Sequence, residues 1–547
     1  MLKRVLTRWL PADRRWRYVT LAAIICVFAV LKLNFNPGLG RPCLDGDYYF
    51  QIARNVAEGN GLATNLSLYN QGIKEFPHKI NQSPVWPLTM GYLGKIFDLE
   101  RVAVILPEII YLFDLVLLYF LTLRLMRRWG AETNRILFIV NGRFLDVGHI
   151  MVALFGANCI FFEFTSLPYT EAMAFMFFFM AVLAADLAAE RHSVKLAMLA
   201  GALAAIDFLT RTQMAGLVIA VPLVFAIVGV RNRRFLAMAG AAAAASVIVV
   251  LPWVAWVASW AEIKGWTAFA GMGDMRELPA LNMFRQTVIA SGLGEKLDVL
   301  KDGLSIAFST KDGNSYFFSF GWIIYTVPIA LLAVLSDLSE LKRILRRAVS
   351  PEGCFVFILV LSTLAMLGPL HIEKKQFFKT WLFGWRHGLP FAVLVVIATT
   401  YLLVGKQKLG RAIAVLLLVG SFLHNWDGLD RLFDKKYISG PSGPEASLVR
   451  WLDSQNPKPT VITTHSQILS AFSRSYFHWI DCKVPSAHTL ALLEEGNADY
   501  VLVYPKLQGC RYFAPLKPRM ELVKRVTKGW SIEVWRLKPE GTSGDQP

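Results

Sequence analysis

The stretch of this chain best suited to chemistry is Asp45-Gly46-Asp47-Tyr48-Tyr49-Phe50-Gln51-Ile52-Ala53-Arg54-Asn55. Two carboxylates follow a first apolar run by a few residues, at the level where a membrane meets water. An acid at that depth meets both aqueous and lipid-borne reactants, and acids clustered beside an apolar slab point to function. A carboxylate so placed can act as a general base. The alternative is that Asp45 and Asp47 only cap the helix that follows them. Glu75, His78 and Lys79 lie further along the same segment. His78 and Lys79 precede Asn81-Gln82-Ser83 and are placed to touch a phosphate or a sugar. Glu75 is placed to supply a second acid or to accept from a substrate hydroxyl. Ordinary loop roles stand beside all three. Glu171 opens a later apolar run, as a functional buried carboxylate or as a dipole-stabilising cap. Arg211 ends another run and is placed to face a lipid phosphate. Arg386 stands between an apolar run and a helix start; arginine binds phosphate through two parallel hydrogen bonds. The competing reading is an interface anchor that snorkels. Lys374, Lys375 and Lys379 precede it, either as an electrostatic entrance for an anionic lipid or as a solvated loop.

These residues need a membrane scaffold to hold them. The chain has 547 residues, of which 55% are hydrophobic and 13% aromatic, with mean hydropathy +0.44. That composition is too apolar for an ordinary soluble domain. A net charge of +17 would suit nucleic acid. The basic residues, however, fall in short clusters between apolar runs, with no free basic face carrying interleaved aromatics. We exclude nucleic acid as a partner. Runs long enough to cross a bilayer fall near 18–36, 102–124, 136–161, 168–189, 194–210, 213–230, 235–258, 317–336, 353–370, 388–404 and 411–425, or about eleven spans. With a cytoplasmic N-terminus, the basic clusters at 3–17, 124–135, 191–195, 231–234, 342–347 and 406–411 all fall on the cytoplasmic side. The first run lacks a small-residue cleavage site and reads as an anchor. The outer face then holds segments 37–101, 162–167, 259–316 and 426–547.

The first outer segment is too apolar for a plain loop. Residues 47–58 predict a helix, with Arg54 and Glu58 spaced i, i+4 and Gly59-Asn60-Gly61 as its stop. Val85 to Leu93 predicts a short interfacial helix, with Trp86 and Tyr92 at headgroup depth. Asp114, Asp146 and Asp207 lie inside spans and read as inter-helix hydrogen-bond partners. Phe175 to Phe179 reads as core or lipid-facing surface. Beyond Gly440-Pro441-Ser442-Gly443-Pro444, helices over 445–454 and 487–495 and strands over 460–464, 500–504 and 530–537 predict a small α/β domain. The expected organisation is a transmembrane catalytic domain over 1–425, a linker over 426–444, the α/β domain over 445–539 and a disordered tail over 540–547. The fold class is therefore mainly α: a polytopic helical membrane protein with a small extracytoplasmic α/β domain. Cys482 and Cys510 are either a disulfide or two thiols. No zinc spacing is present, nor an inverted repeat of the kind seen in transporters.

Asp45 with its aromatic pair, Ile52-Ala53-Arg54-Asn55 and Gly59-x-Gly61 together resemble the first outer loop of the GT-C glycosyltransferases. That superfamily includes protein O-mannosyltransferases, lipid A aminoarabinose transferases and mycobacterial arabinofuranosyltransferases. Asn81-Gln82-Ser83-Pro84-Val85-Trp86-Pro87-Leu88 is similar to its T-S-P-L-W/Y-P-L segment. Leu167-Pro168-Tyr169-Thr170-Glu171 is similar to its P-x-x-E, Leu209-Thr210-Arg211 to its L-T-R/K, and Arg386-His387-Gly388-Leu389-Pro390 to its R-Y-x-x-P. The pieces occur in family order over residues 1–425. Two departures are Gly46, where many members carry a second acid, and Leu44, where a frequent Asp-Asp pair begins.

The resemblance implies transfer of a sugar from a polyprenyl phosphate to an acceptor on the outer face. It places Asp45 on the catalytic aspartate and leaves Asp47 as the acid in reach of the second role. Arg386 and neighbouring cations would hold the departing phosphate. Partners would be the polyprenyl-phosphate sugar, membrane lipid and a glycan, lipid or protein acceptor. No cofactor is called for, with a divalent cation left open. The expected location is a bacterial inner membrane with the C-terminal domain in the periplasm. A transporter or lipid flippase is the competing class.

Overall fold

A computed structural model describes residues 12–35, 44–67, 76–80, 83–128, 146–211, 214–230, 232–259, 443–464, 466–480, 485–504, 510–528 and 530–538, with isolated helical positions between 358 and 433. Glu75, Lys374, Lys375, Lys379, Arg386 and, apart from Ile358, the expected spans from 317 to 404 lie outside the described residues.

Apolar runs without a polar stripe must bury their backbone groups internally, which a helix does completely. Helix α1 (Ala12–Phe35) is followed by α2 (Leu44–Glu58), α3 (Val85–Gly94) and α4 (Leu99–Arg128). Helices α5 (Val147–Gly156), α6 (Cys159–Phe164), α7 (Glu171–Arg191), α8 (Val194–Thr210), α9 (Ala215–Gly229) and α10 (Arg233–Ala258) complete the described bundle. Four stretches are long and apolar enough to cross a membrane: Trp16–Phe35, Leu99–Arg127, Glu171–Arg191 and Arg233–Val257. The chain is an integral membrane protein.

Close helix approach depends on small residues. A Cβ on Gly201 of α8 would overlap the Ala242 carbonyl of α10. Ser246 Oγ donates to the Gly201 carbonyl at 2.9 Å across the same crossing. A Cβ on Gly91 of α3 would lie 2.6 Å from Val56 Cβ and 2.7 Å from the Ala53 carbonyl oxygen of α2. Glycine at 91 therefore sets how closely α3 supports α2. Phe175, Phe178 and Phe179 are buried in the bundle core rather than facing lipid.

Three expectations need correction. The run over 136–161 is no single span in its described part: Asn158 accepts from the Phe161 amide and starts a new helix after α5 ends. Asp146 does not lie within a helix. It is the N-cap of α5, bonded to His149 and Tyr119, 3.9 Å from Arg17 near the start of α1. Asp114 and Asp207 are fully buried, yet their carboxylate oxygens make no hydrogen bond among the described residues.

The C-terminal sheet domain contains α11 (Pro444–Ser454), β4 (Thr460–Thr463), α12 (Ser466–Phe472), β5 (Tyr476–Trp479), α13 (Ser486–Glu494), β6 (Tyr500–Val503), β7 (Met520–Lys528) and β8 (Trp530–Leu537). Strand order is β2-β5-β4-β6-β8-β7, where β2 (Leu66–Ser67) comes from the loop after α2. Strands β2, β5, β4 and β6 run parallel; β8 lies antiparallel between β6 and β7. Side chains alternate across the sheet. Val461 and Leu502 face Ile52, Leu209 and Trp253 of the bundle, while Ile462, Val501 and Val503 face Leu492, Tyr512 and Phe513. Cys510 is disulfide-bonded.

His478 on β5 is buried, and its Nε2–H donates to the Asn497 carbonyl at 3.2 Å. Burial pushes its pKa below the usual value, His488 adds to that, and the Asn497 bond opposes it. The folded state thus holds fewer protons than the unfolded chain. Stability is expected to be full above pH ~6.5 and to decline as pH falls toward the lower folded pKa. Denaturant unfolding of the sheet domain from pH 7.5 to 5 checks this, and His478→Gln should flatten the decline.

Candidate active site

Helix α2 opens on Asp45 and Asp47, both within its first turn, where unpaired amides and the helix dipole favour negative charge. Asp45 is half-buried and reachable; Asp47 is 1% exposed. The helix is held from one side by a short hairpin. Strand β1 (Ala63–Thr64) pairs with β3 (His78–Lys79), with Thr64 opposite His78. Thr64 Oγ1 donates to Gln51 Oε1 at 2.8 Å and also meets the Tyr48 hydroxyl. Asn55 Nδ2 donates to the Ala63 carbonyl at 2.8 Å and to Asn65 Oδ1 at 3.1 Å. Lys79 is exposed on this hairpin.

Helix α3 holds the other side. Trp86 was expected at headgroup depth, but it is fully buried and its Nε1–H donates to the Pro168 carbonyl at 2.8 Å. Tyr92 is the exposed aromatic of this helix. The Pro168 turn leads into Thr170, the N-cap of α7, and Glu171, its first residue. Helix α8 runs antiparallel to α7, so its C-cap Arg211 arrives at the same level. Arg211 leaves the helix in an extended conformation and its Nη1 bonds Glu171, with Thr170 Oγ1 at 3.4 Å. Glu171 is almost fully buried and Arg211 largely so.

Tyr49 joins these parts. It feels the charges of both Arg211 and Glu171, and burial raises its pKa above the ordinary tyrosine value. Asp45 and Tyr49 are one turn apart on one face of α2. The structure therefore gathers four separate sequence motifs: the Asp45 loop, Trp86, the Pro168–Glu171 turn and Arg211. Sequence reading did not single out Tyr49.

Two other cations were misjudged or overlooked. Arg54 and Glu58 do not pair along the helix: Arg54 bonds carbonyls of the sheet domain, and Glu58 meets Arg474 at 3.0 Å. Lys32, near the end of α1, is 1% exposed. Its Nζ donates to the Phe162 carbonyl (2.7 Å), Thr165 Oγ1 (2.9 Å) and Ser166 Oγ (2.6 Å), and lies 4.2 Å from the Tyr111 ring centroid. It thereby closes the C-terminal end of α6, just ahead of the Pro168 turn. A lysine inside an apolar run was the available signal.

What the gathered groups can do is limited and specific. Asp45 is an acceptor-only group at a reachable position, suited to taking a proton. Tyr49, half-buried one turn further along α2, links that position to the buried Glu171–Arg211 pair.

No family model matches the sequence, and no curated protein matches it. Solved structures that superpose over most of the chain include two at the same TM-score. One is the oligosaccharyltransferase of Archaeoglobus fulgidus in its apo form, at TM-score 0.50 and 12% identity, spanning 89% of this chain and 70% of that one. The other is ArnT of Cupriavidus metallidurans bound to undecaprenyl phosphate, at TM-score 0.50 and 12% identity, spanning 97% of this chain and 99% of that one. The likeness to ArnT runs through both the helical bundle and the sheet domain, and this chain carries the GT-C membrane fold.

Proposed function

We propose that this protein is an inverting glycosyltransferase. It moves one sugar from a polyprenyl-phosphate donor to an acceptor hydroxyl on the outer face of a bacterial inner membrane, in building or decorating an envelope glycan, lipid or protein. Asp45 takes the hydroxyl proton as the acceptor oxygen attacks the anomeric carbon. The bond from that carbon to the phosphate oxygen breaks, and its electron pair leaves with the polyprenyl phosphate. Asp47 supports the acid cluster from its buried position. Arg386, with Lys379, His78 and Lys79 as neighbours, meets the growing charge on the phosphate. Glu75 accepts from a substrate hydroxyl. Phosphate is a good enough leaving group for protein cations to suffice, so the reading calls for no metal. In this orientation the N-terminus is cytoplasmic and the sheet domain periplasmic.

The observation that carries this reading is Asp45 in the first turn of a helix whose Tyr49, one turn on, lies near the Glu171–Arg211 pair, at the part of the bundle that packs on the sheet domain. A GT-C fold shared with a protein that holds undecaprenyl phosphate supports a lipid-phosphate donor.

The test is to incubate the purified protein in proteoliposomes with a panel of radiolabelled polyprenyl-phosphate sugars, with and without EDTA, and to follow loss of sugar from the lipid. Consumption of one donor, unaffected by EDTA, is expected. Movement of intact labelled lipid between leaflets without loss of sugar would replace the enzyme with a flippase.

A further inference from the structure

Arg54 lies on the same helix as Asp45, but it serves the sheet domain. Nη2 donates to the carbonyls of Ser470 and Ser473, both at 2.7 Å, and Nη1 to that of Ala471 at 2.9 Å. These carbonyls close the C-terminal end of α12, where unpaired C=O groups and the helix dipole favour a cation. The same turn is tied to α11: Asp453 Oδ1 accepts from Ser473 Oγ at 2.7 Å and from the Arg474 amide at 2.8 Å.

The rest of α2 is joined to the domain as well. Phe50 meets the Phe472 ring at 6.4 Å, and Ile52 shares an apolar cluster with Val461, Leu469 and Phe477. The loop after α2 adds β2 to the sheet, with Leu66 in register with Phe477. Arginine is suited to this task because its planar fork reaches several carbonyls at once; lysine cannot reproduce that geometry. A domain that merely covered the site would not need a charged group from the helix bearing the acid.

We propose that Arg54 is a positioning residue through which the sheet domain fixes the placement of α2, so that the reach of Asp45 toward an acceptor depends on a domain that need not touch the donor. This rests on the glycosyltransferase reading above.

The experiment compares wild type, Arg54→Met, Arg54→Lys and Glu58→Gln as full chains in proteoliposomes. One arm reads kcat and the donor KM. The other reads amide hydrogen exchange in residues 44–58. For Arg54→Met, kcat is expected to fall at least about tenfold, the equivalent of one charge-assisted hydrogen bond, with donor KM unchanged. Exchange over 44–58 should quicken by a similar factor, while α7 and α8 keep wild-type protection. Arg54→Lys should recover part of both effects. Glu58→Gln removes only the exposed pair with Arg474 and should change neither. If Arg54→Met does not fold, Arg54→Lys alone decides, since it must slow kcat and quicken exchange over 44–58. Wild-type exchange in α2, or a fall in donor affinity without a fall in kcat, would overturn the proposal. If wild type transfers no sugar, the glycosyltransferase reading fails, and the exchange arm still decides whether Arg54 positions α2.

Discussion

Asp45→Asn is expected to lower sugar transfer by about 10²–10⁴-fold, the usual contribution of a positioned general base, while donor affinity stays at the wild-type level. The side chain keeps its shape, so the helix start should survive. Only the capacity to take a proton is lost. The neighbouring acid supplies the contrast. Asp47 is 1% exposed, so an acceptor cannot reach it as it reaches Asp45. Asp47→Asn is expected to cost stability, through loss of a charge at the helix N-terminus, and to slow transfer far less. Single-turnover assays with the donor identified in the panel, beside a lipid-phosphate binding assay, separate the two effects. Undiminished single-turnover transfer by Asp45→Asn would remove Asp45 from the base role, and equal losses for both variants would argue that the acids act as one unit.

The helices were legible because apolar runs bounded by charge leave the backbone few alternatives in lipid. The starts of α7 and α8 and the end of α2 fall close to where Glu171, the apolar run over 194–210 and the Gly59 turn place them. What the sequence could not show was which ends meet. Trp86 looks like any interfacial tryptophan until the Pro168 carbonyl is seen to take its N–H. Arg54 and Glu58 have ideal helical spacing, but tertiary partners outweigh an i, i+4 pair, which contributes only about 0.2–0.5 kcal/mol. Strand β2 has two residues, too short for any periodicity, and its pairing with β5 spans most of the chain. Strands β5 and β7 were missed for different reasons: Tyr476-Phe477-His478-Trp479 is short, and β7 is an edge strand with a bulge near Leu522 and many charges. Asp146 shows the limit of reading depth from run length alone. Its position within an apolar stretch suggested mid-membrane, whereas its side chain starts a helix.

The Glu171–Arg211 pair yields the largest expected effect on stability. Both groups are withdrawn from water, so removing one leaves a buried charge uncompensated, at a cost of about 3–5 kcal/mol. The two single variants should not be equivalent. Arg211 closes the helix that carries Asp207 one turn earlier, and its amide donates to the Asp207 carbonyl at 2.8 Å. Glu171→Gln leaves Arg211, 12% exposed, with water and Thr170 Oγ1 still in reach, whereas Arg211→Met leaves Glu171, 2% exposed, without its cation. Arg211→Met is expected to be the more destabilising of the two, and adding Glu171→Gln to it should return part of the loss. Equilibrium unfolding in detergent micelles, carried out as a double-mutant cycle, measures the coupling directly. Near-additive losses would mean that each residue acts on separate neighbours. Strong coupling, with donor affinity kept in the folded Glu171→Gln protein, would assign the pair to holding α7 and α8 level beneath Asp45. The work of binding phosphate would then fall to cations elsewhere, with Arg386 the first to test.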